Sequence, residues 1–373
     1  MKRIRLVHVI SSLKIGGAES VLVDLLNSLP HDHYEHHVIY FHDGPNRMHI
    51  QALGIPTYHM SGFLYQYDLL FWWRLYRLIQ QIKPDVIHSS LWAASFAARV
   101  VSSFTSIPVI CAVHAELGHH GSLRTTLDYY TLSYAHAIVA VSEGVAASLV
   151  AQWGAAVAQK MVLIKNGIDV TALARKQEQQ RKERSMLGLT SDHFVIGAVG
   201  RFVQVKLYDQ LIAAYAELVK KCEFARLVLI GMGPLEGALR DQVRQLGLEN
   251  KVIFVVGESA YGYYPLMDCF VLSSLQEGLS IALLEAMASG RACVVTSTDG
   301  THPVVENQVN GMVIKPANIP QLVDALTAFV IDNVLKVQLG NSAQESVAKN
   351  FTLSRVANSY SNLIKSALQN KAR

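Results

Sequence analysis

The chain has 373 residues, 51% of them hydrophobic, with a mean hydropathy of +0.23 and a formal net charge of +4. That length predicts about two domains, and the apolar content supplies sizeable cores and excludes a disordered chain. The mild positive balance comes without a Lys/Arg-rich block, which argues against a nucleic-acid partner and is compatible with a phosphate-bearing substrate or an anionic membrane surface.

Short β-rich runs alternate with helical patterns along the chain. The predicted strands are 4–10, 37–41, 85–88, 109–113, 137–141 and 161–164, then 195–200, 227–230, 252–256, 269–272 and 292–296. Alternation of this kind specifies parallel sheets with helices on both faces. The polar run RKQEQQRKERSMLGLTSDH (175–193) separates the two groups and reads as the hinge between two doubly wound halves. Ligands of such sheets bind at the carboxyl ends of the strands, so two facing sheets predict an interdomain cleft. The last stretch, FTLSRVANSYSNLIKSAL, places Leu353, Val356, Tyr360, Leu363 and Ile364 on one helical face.

Several strand ends carry polar chemistry. After the first strand, Gly16 and Gly17 precede a helix whose free N–H groups would attract an anion, although two glycines also suit a plain tight turn. His114 follows the run 109–113 and is either a core histidine or a site residue. Arg201 and Lys206 lie just past the strand 195–200; a guanidinium fork and an ammonium suit a diphosphate, and two solvated cations are the plain alternative. Gly231 and Gly233 form a second glycine-rich turn, with Pro234 at a helix start.

The stretch EGLSIALLEAMASG then holds Glu277 and Glu285. Ser280 is an N-cap candidate for a helix over 281–289, and Gly290 stops it. Glu277 falls on the loop before that helix and Glu285 inside it. The pair either grips one elongated polar ligand or is an exposed helix glutamate beside an unrelated loop glutamate. The cysteines Cys111, Cys222, Cys269 and Cys293 form no CxxC and read as buried thiols in a reducing compartment. His31, His33, His36, His37, His119 and His120 lack metal-ligand spacing and read as solvated loop histidines. There is no Walker A, no GxSxG and no DxD-like pair.

No apolar run reaches the roughly 18 residues of a membrane span, and no signal peptide is evident; a cytoplasmic protein is expected. The aromatic helix at 67–83 carries Phe71, Trp72, Trp73 and Tyr76, more than one core face can hide. It reads either as plain core packing with an exposed rim or, with Arg74 and Arg77, as peripheral contact with the inner face of the cell membrane.

In chain order GGAE (16–19), KPDVIH (83–88), VH (113–114), VAVSEGV (139–145), IKNGID (164–169), GRFVQVK (200–206), LIGMGP (229–234) and EGLSIALLEAMASG (277–290) resemble the retaining GT-B glycosyltransferases of family four, over essentially the whole length. The last of these is similar to that family's glutamate–seven–glutamate signature. The resemblance implies an α/β GT-B fold of two doubly wound Rossmann-like domains facing a cleft. Its domains would be an acceptor-side domain over 1–170, a nucleotide-sugar domain over 171–350 and a C-terminal helix, 351–373, crossing back to the first. It implies retaining transfer of a sugar from a nucleotide-diphosphate donor, with no metal and no cofactor. The expected donor is a UDP-hexose or UDP-N-acetylhexosamine, and the expected acceptor a glycan or lipid-linked acceptor in surface polysaccharide or glycolipid synthesis.

Carried over residue by residue, the resemblance gives Arg201 and Lys206 the donor diphosphate, with the Gly16 and Gly17 amides facing it and Gly231 at the donor turn. Glu285 takes the ribose hydroxyls and Glu277 the donor sugar. Gly278, Leu279 and Ser280 contribute backbone contacts, and His114 lies by the donor sugar and the attacking hydroxyl. The chain departs from the family pattern at Asp299-Gly300 with Pro303, at Arg291 and at Leu207-Tyr208. A soluble transferase of a small metabolite or glucan, or a silent nucleotide-sugar-binding subunit, are the competing classes.

Overall fold

The computed structural model describes residues 3–60, 69–114, 122–302 and 304–371. The chain divides into two compact units, Met1–Asn166 with Leu353–Arg373, and Gly167–Thr352.

The first unit is built on a seven-stranded parallel sheet. Its strands are β1 (Ile4–Ser12), β2 (Tyr34–His42), β3 (Thr57–His59), β4 (Val86–Ser90), β5 (Val109–Val113), β6 (Ala135–Ala140) and β7 (Met161–Leu163), in spatial order β3-β2-β1-β4-β5-β6-β7. The second unit holds β8 (Phe194–Val199), β9 (Ala225–Ile230), β10 (Val252–Val255), β11 (Cys269–Leu272), β12 (Ala292–Thr296) and β13 (Met312–Ile314), in the order β10-β9-β8-β11-β12-β13. Both are doubly wound α/β sheets. The strand order reverses beside β1 and β4 in the first and beside β8 and β11 in the second, and a crevice opens outside the carboxyl ends of such a pair. The edge strands β3 and β13 are not among the predicted strands, whereas β7, equally short and also at an edge, lies within the predicted run 161–164.

Helices on both faces bury these strands, which explains why they read as unbroken apolar runs. In the second unit Ile196, Leu227, Leu229, Val271 and Val294 share a core with Leu211, Tyr215, Leu326 and Phe329 of the covering helices. The C-terminal helix Leu353–Lys371 belongs to the first unit. Leu353, Val356, Tyr360 and Ile364 pack on Leu6, Tyr34, Val86 and Ile110, and the Tyr34 hydroxyl donates to Ser361 Oγ at 3.0 Å.

The polar run 175–193 is not the hinge. It lies inside the second unit, fastened by Gln177 to Ser289 (2.6 Å), Lys182 to Glu258 (2.8 Å) and Arg184 to Asp268 (3.1 Å). Its polarity serves these pairings, and the chain passes between units at Asn166/Gly167 and Thr352/Leu353. There Ile168 N donates to Phe351 O at 2.9 Å.

The reading of His36 and His37 as loop residues is likewise corrected. Both lie on β2, and His36 is buried. His36 Nδ1 meets His8 Nε2 at 3.1 Å, and His8 Nδ1 meets His88 Nδ1 at 3.1 Å. His8 and His88 are register partners on β1 and β4, so adjacent strands line up their imidazoles. His119 and His120 lie outside the described residues. All four cysteines are free and buried.

Candidate active site

The second unit brings most of the expected residues to the carboxyl ends of β8 and β11. Beyond β8 the chain runs through Gly200 and an exposed Arg201 into a single 3-10 turn, Gln204–Lys206, closed by Leu207 in the left-handed region (φ +50°). A leucine rarely adopts that conformation, and tertiary bonds hold it. Ser273 Oγ donates to Lys206 O at 2.8 Å, and Leu275 N donates to Val205 O at 2.8 Å. The loops after β8 and β11 are thereby stitched together across the switch point.

Lys206 and Glu277 form an ion pair at that seam, with side chains only 18% and 11% exposed. Ser274 Oγ also donates to Glu277 Oε1, at 2.6 Å. The Tyr208 hydroxyl lies close by. Burial, and then the Glu277 charge, push its pKa up, so it remains protonated.

The helix Ile281–Ala288 follows, with Ser280 as N-cap accepting from Leu283 N and Gly290 (φ +68°) at its end, as its sequence predicts. Leu279 and Ser280 are buried. Glu285 sits on this helix, where the Tyr264 hydroxyl donates to its Oε2 at 2.7 Å. Two glycines are required by packing. A side chain at Gly231 (φ +152°) would overlap the carbonyl oxygen of Gly200, and one at Gly300 would overlap the carbonyl oxygens of Glu277 and Gly278. Gly300 thus brings the turn after β12 against the glutamate loop.

The remaining expected residues are on the first unit. Gly16 is the N-cap of the helix Gly17–Ser28, with extended backbone, and the space beside Gly17 is open. The Glu19 carboxylate leans back towards Gly16, in the first turn where the helix dipole favours negative charge. His114 follows β5, with Nε2 3.4 Å from Ser90 Oγ at the end of β4. Burial lowers its pKa to about 4, so it is neutral near pH 7, and its Nδ1 is buried without a hydrogen-bond partner.

Arginine, lysine and a helix N-terminus at one switch point are suited to a diphosphate, and the two carboxylates to hydroxyl donors. Sequence reasoning missed Ser274, Tyr264 and the packing role of Gly300. Ser274, three residues before Glu277, was within reach of a local reading; Tyr264 carries no such signal. Among the described residues, no group of three His, Cys, Asp or Glu side chains is arranged to hold a metal ion, and no helix is long and apolar enough to cross a membrane.

On the helix Leu69–Ile82, Phe71, Leu75 and Ile79 are buried and Trp72 is half-buried against Phe71 and Phe96. Leu70 and Trp73 are exposed (72% and 57%), and the Arg77 guanidinium lies 5.2 Å from the centre of the Trp73 ring. The aromatics therefore divide between core and surface. Residues 67 and 68 lie outside the described part.

Residues 179–346 match the family described as glycosyl transferases group 1, and residues 15–172 match glycosyltransferase family 4. The chain is 23% identical over 362 residues to the UDP-Gal:alpha-D-GlcNAc-diphosphoundecaprenol alpha-1,3-galactosyltransferase of Escherichia coli, covering 92% of each. It is 25% identical over 354 residues to the lipopolysaccharide core biosynthesis glycosyltransferase LpsD of Rhizobium meliloti, covering 93% of this chain and 94% of that one. Its fold is that of Anabaena HepE, solved in complex with UDP and glucose, with a TM-score of 0.86 at 20% identity over 98% of this chain and all of that one. The apo lipopolysaccharide outer core galactosyltransferase WaaB has the same fold, with a TM-score of 0.72 at 17% identity over 97% and 99%.

Proposed function

Because the chain belongs to the GT-B glycosyltransferases of family 4, we propose that it transfers a hexose or N-acetylhexosamine from a UDP-sugar to a glycan or lipid-linked acceptor, with retention at the anomeric carbon and without a metal ion. The acceptor reading draws on the full-length likeness to enzymes of lipopolysaccharide and lipid-linked glycan synthesis.

The observation that carries the proposal is the Lys206–Glu277 pair at the β8/β11 switch point, beside the N-terminus of the helix bearing Glu285. Breaking a glycosyl–phosphate bond leaves negative charge on the departing diphosphate. Donors and cations already in place stabilise that charge without reorganisation. In this reading Arg201, Lys206, the Gly231 turn and the amides of Gly278–Ser280 receive the diphosphate, and on the first unit the open helix N-terminus at Gly16 and Gly17 suits an anion. Glu277 holds the hydroxyls of the donor sugar and Glu285 those of the ribose. His114, neutral near pH 7, accepts or donates a hydrogen bond beside the attacking hydroxyl.

The exposed Leu70, Trp73 and Arg77 support peripheral contact with an anionic bilayer at the cytoplasmic face, where a lipid-linked acceptor would reside. The test is a panel of UDP-, GDP- and ADP-sugars scored by thermal shift and by hydrolysis and transfer products. A bound donor raises apparent stability by RT ln(1 + [L]/Kd). A UDP-sugar that stabilises the protein and yields an α-linked product supports the proposal. A panel with no stabilising member overturns it.

A further inference from the structure

Glu285 is held at both ends. Its carboxylate accepts from the Tyr264 hydroxyl at 2.7 Å, and its backbone carbonyl accepts from Ser289 Oγ at 2.6 Å. Ser289 Oγ in turn accepts from Gln177 Nε2 at 2.6 Å. Tyr264 lies in a different segment, the 3-10 turn Tyr264–Leu266 ahead of β11, and is wholly buried, with the Phe270 ring 6.2 Å away, centre to centre. Its ring cannot swing without disturbing that core, so its hydroxyl is a fixed point. Burial first, and then the Glu285 charge, keep it a protonated donor.

We propose that Tyr264 is a positioning residue for nucleotide recognition: its buried hydroxyl fixes the rotamer of Glu285, and with it the geometry in which the carboxylate meets the ribose 2′- and 3′-hydroxyls. The proposal rests on the ribose role given to Glu285 above. The chemistry is suited to the task. A carboxylate is acceptor-only with about four acceptor sites, the chemistry a vicinal diol's two donors require, and the Tyr264 bond occupies one of them. A glutamate loses rotamer entropy when it is ordered, and a partner that orders it beforehand removes that cost from binding. The Gln177–Ser289 link does the same for the helix backbone at Glu285. This gives the polar run 175–193 a part in the site that its sequence did not suggest.

The experiment compares wild type, Tyr264→Phe and Glu285→Ala. Calorimetry measures UDP, GDP and ADP, and then the 2′,3′-dideoxy analogue of whichever binds most tightly. Tyr264→Phe keeps the ring and the core, and a melting temperature close to wild type is its control. The expected result is an affinity for the ribonucleotide lower by about five- to tenfold, the worth of one ordering hydrogen bond. Affinity for the dideoxy analogue should be unchanged, because it has no hydroxyls to read. KM for the donor should rise by a similar factor with kcat little altered.

If Glu285→Ala discriminates the two nucleotides and Tyr264→Phe does not, Tyr264 has only a packing role and the proposal fails alone. If Glu285→Ala loses affinity equally for both nucleotides, the ribose role of Glu285 fails first and takes the proposal with it. Should Tyr264→Phe not fold, Ser289→Ala tests the other tether by the same comparison, and equal loss for both nucleotides again overturns positioning. If no nucleoside diphosphate binds, both readings fall.

Discussion

Lys206 and Glu277, 71 residues apart in the chain, form an ion pair at the switch point of the second sheet, with Ser274 as a second donor to the same carboxylate oxygen. The cation expected to meet the donor diphosphate is therefore held by the carboxylate expected to meet the donor sugar. Both side chains are mostly buried, so their coupling is stronger than that of a surface pair.

Lys206→Ala is expected to lower both activity and stability. It removes one stabiliser of developing charge, a loss of about 10²–10³ in kcat. It also leaves Glu277 without its counter-ion, at a cost of about 1–3 kcal/mol. Adding Glu277→Gln should recover much of that stability and none of the activity. Urea titrations of the two single variants and the double variant measure the coupling, and additive effects would contradict it. Arg201→Ala, at an exposed position, should reduce kcat/KM while leaving stability within about 0.5 kcal/mol.

The two glutamates should separate kinetically. Glu285→Gln is expected to raise the donor KM, since ribose contacts are made equally in ground state and transition state. Glu277→Gln should chiefly lower kcat, because its contacts adjoin the reacting sugar and it also orients Lys206. Steady-state kinetics on a single donor decides; identical profiles would remove this division of labour.

Acid should destabilise the first unit through its buried histidines. Burial is the leading cause that lowers His36 and His114 to about 4 and His88 to about 3, and His8 is lowered well below its ordinary value. At His36, His88 and His114 the unfolded chain takes up protons as pH falls below about 6.5, whereas the folded chain does so only near 3–4, and His8 acts in the same direction. Stability is therefore complete above that unfolded value and lost progressively as pH falls towards 3. Each proton contributes a slope of about 1.4 kcal/mol per pH unit. The tryptophans, at 72, 73, 92 and 153, all lie in the first unit, so their fluorescence follows its unfolding. His88→Gln should reduce the slope by about one proton, and an unaltered slope would exclude His88 from the titrating set.

Activity with the cognate donor should survive EDTA. The proposal assigns charge neutralisation at the diphosphate to Arg201, Lys206 and backbone amides. Initial rates before and after chelation measure this. A large loss restored by magnesium or manganese would show that a metal ion shares the task.

Flotation with anionic and neutral liposomes tests the outer face of the helix Leu69–Ile82. Binding is expected with anionic vesicles at low salt and should weaken at high salt, each basic residue near the surface adding about 1 kcal/mol. Leu70→Ala/Trp73→Ala should reduce it more than Trp72→Ala, since Trp72 is half-buried against Phe71 and Phe96. Equal recovery with both vesicle types would favour a soluble acceptor.

What the sequence determined by itself was local. The strands 109–113, 269–272 and 292–296 agree residue for residue with β5, β11 and β12, and Ser280 and Gly290 bound the signature helix as read. Apolar runs, caps and stops are written within about ten residues. Tertiary structure alone decided which strands are neighbours. That choice set Lys206 on Glu277, Tyr264 on Glu285, and His8 between His36 and His88. It also took the polar run 175–193 out of the hinge and onto Ser289, Glu258 and Asp268. The physical reason is the same throughout. A long-range hydrogen bond or ion pair joins residues that only strand order and packing make adjacent, and neither is encoded in the spacing along the chain.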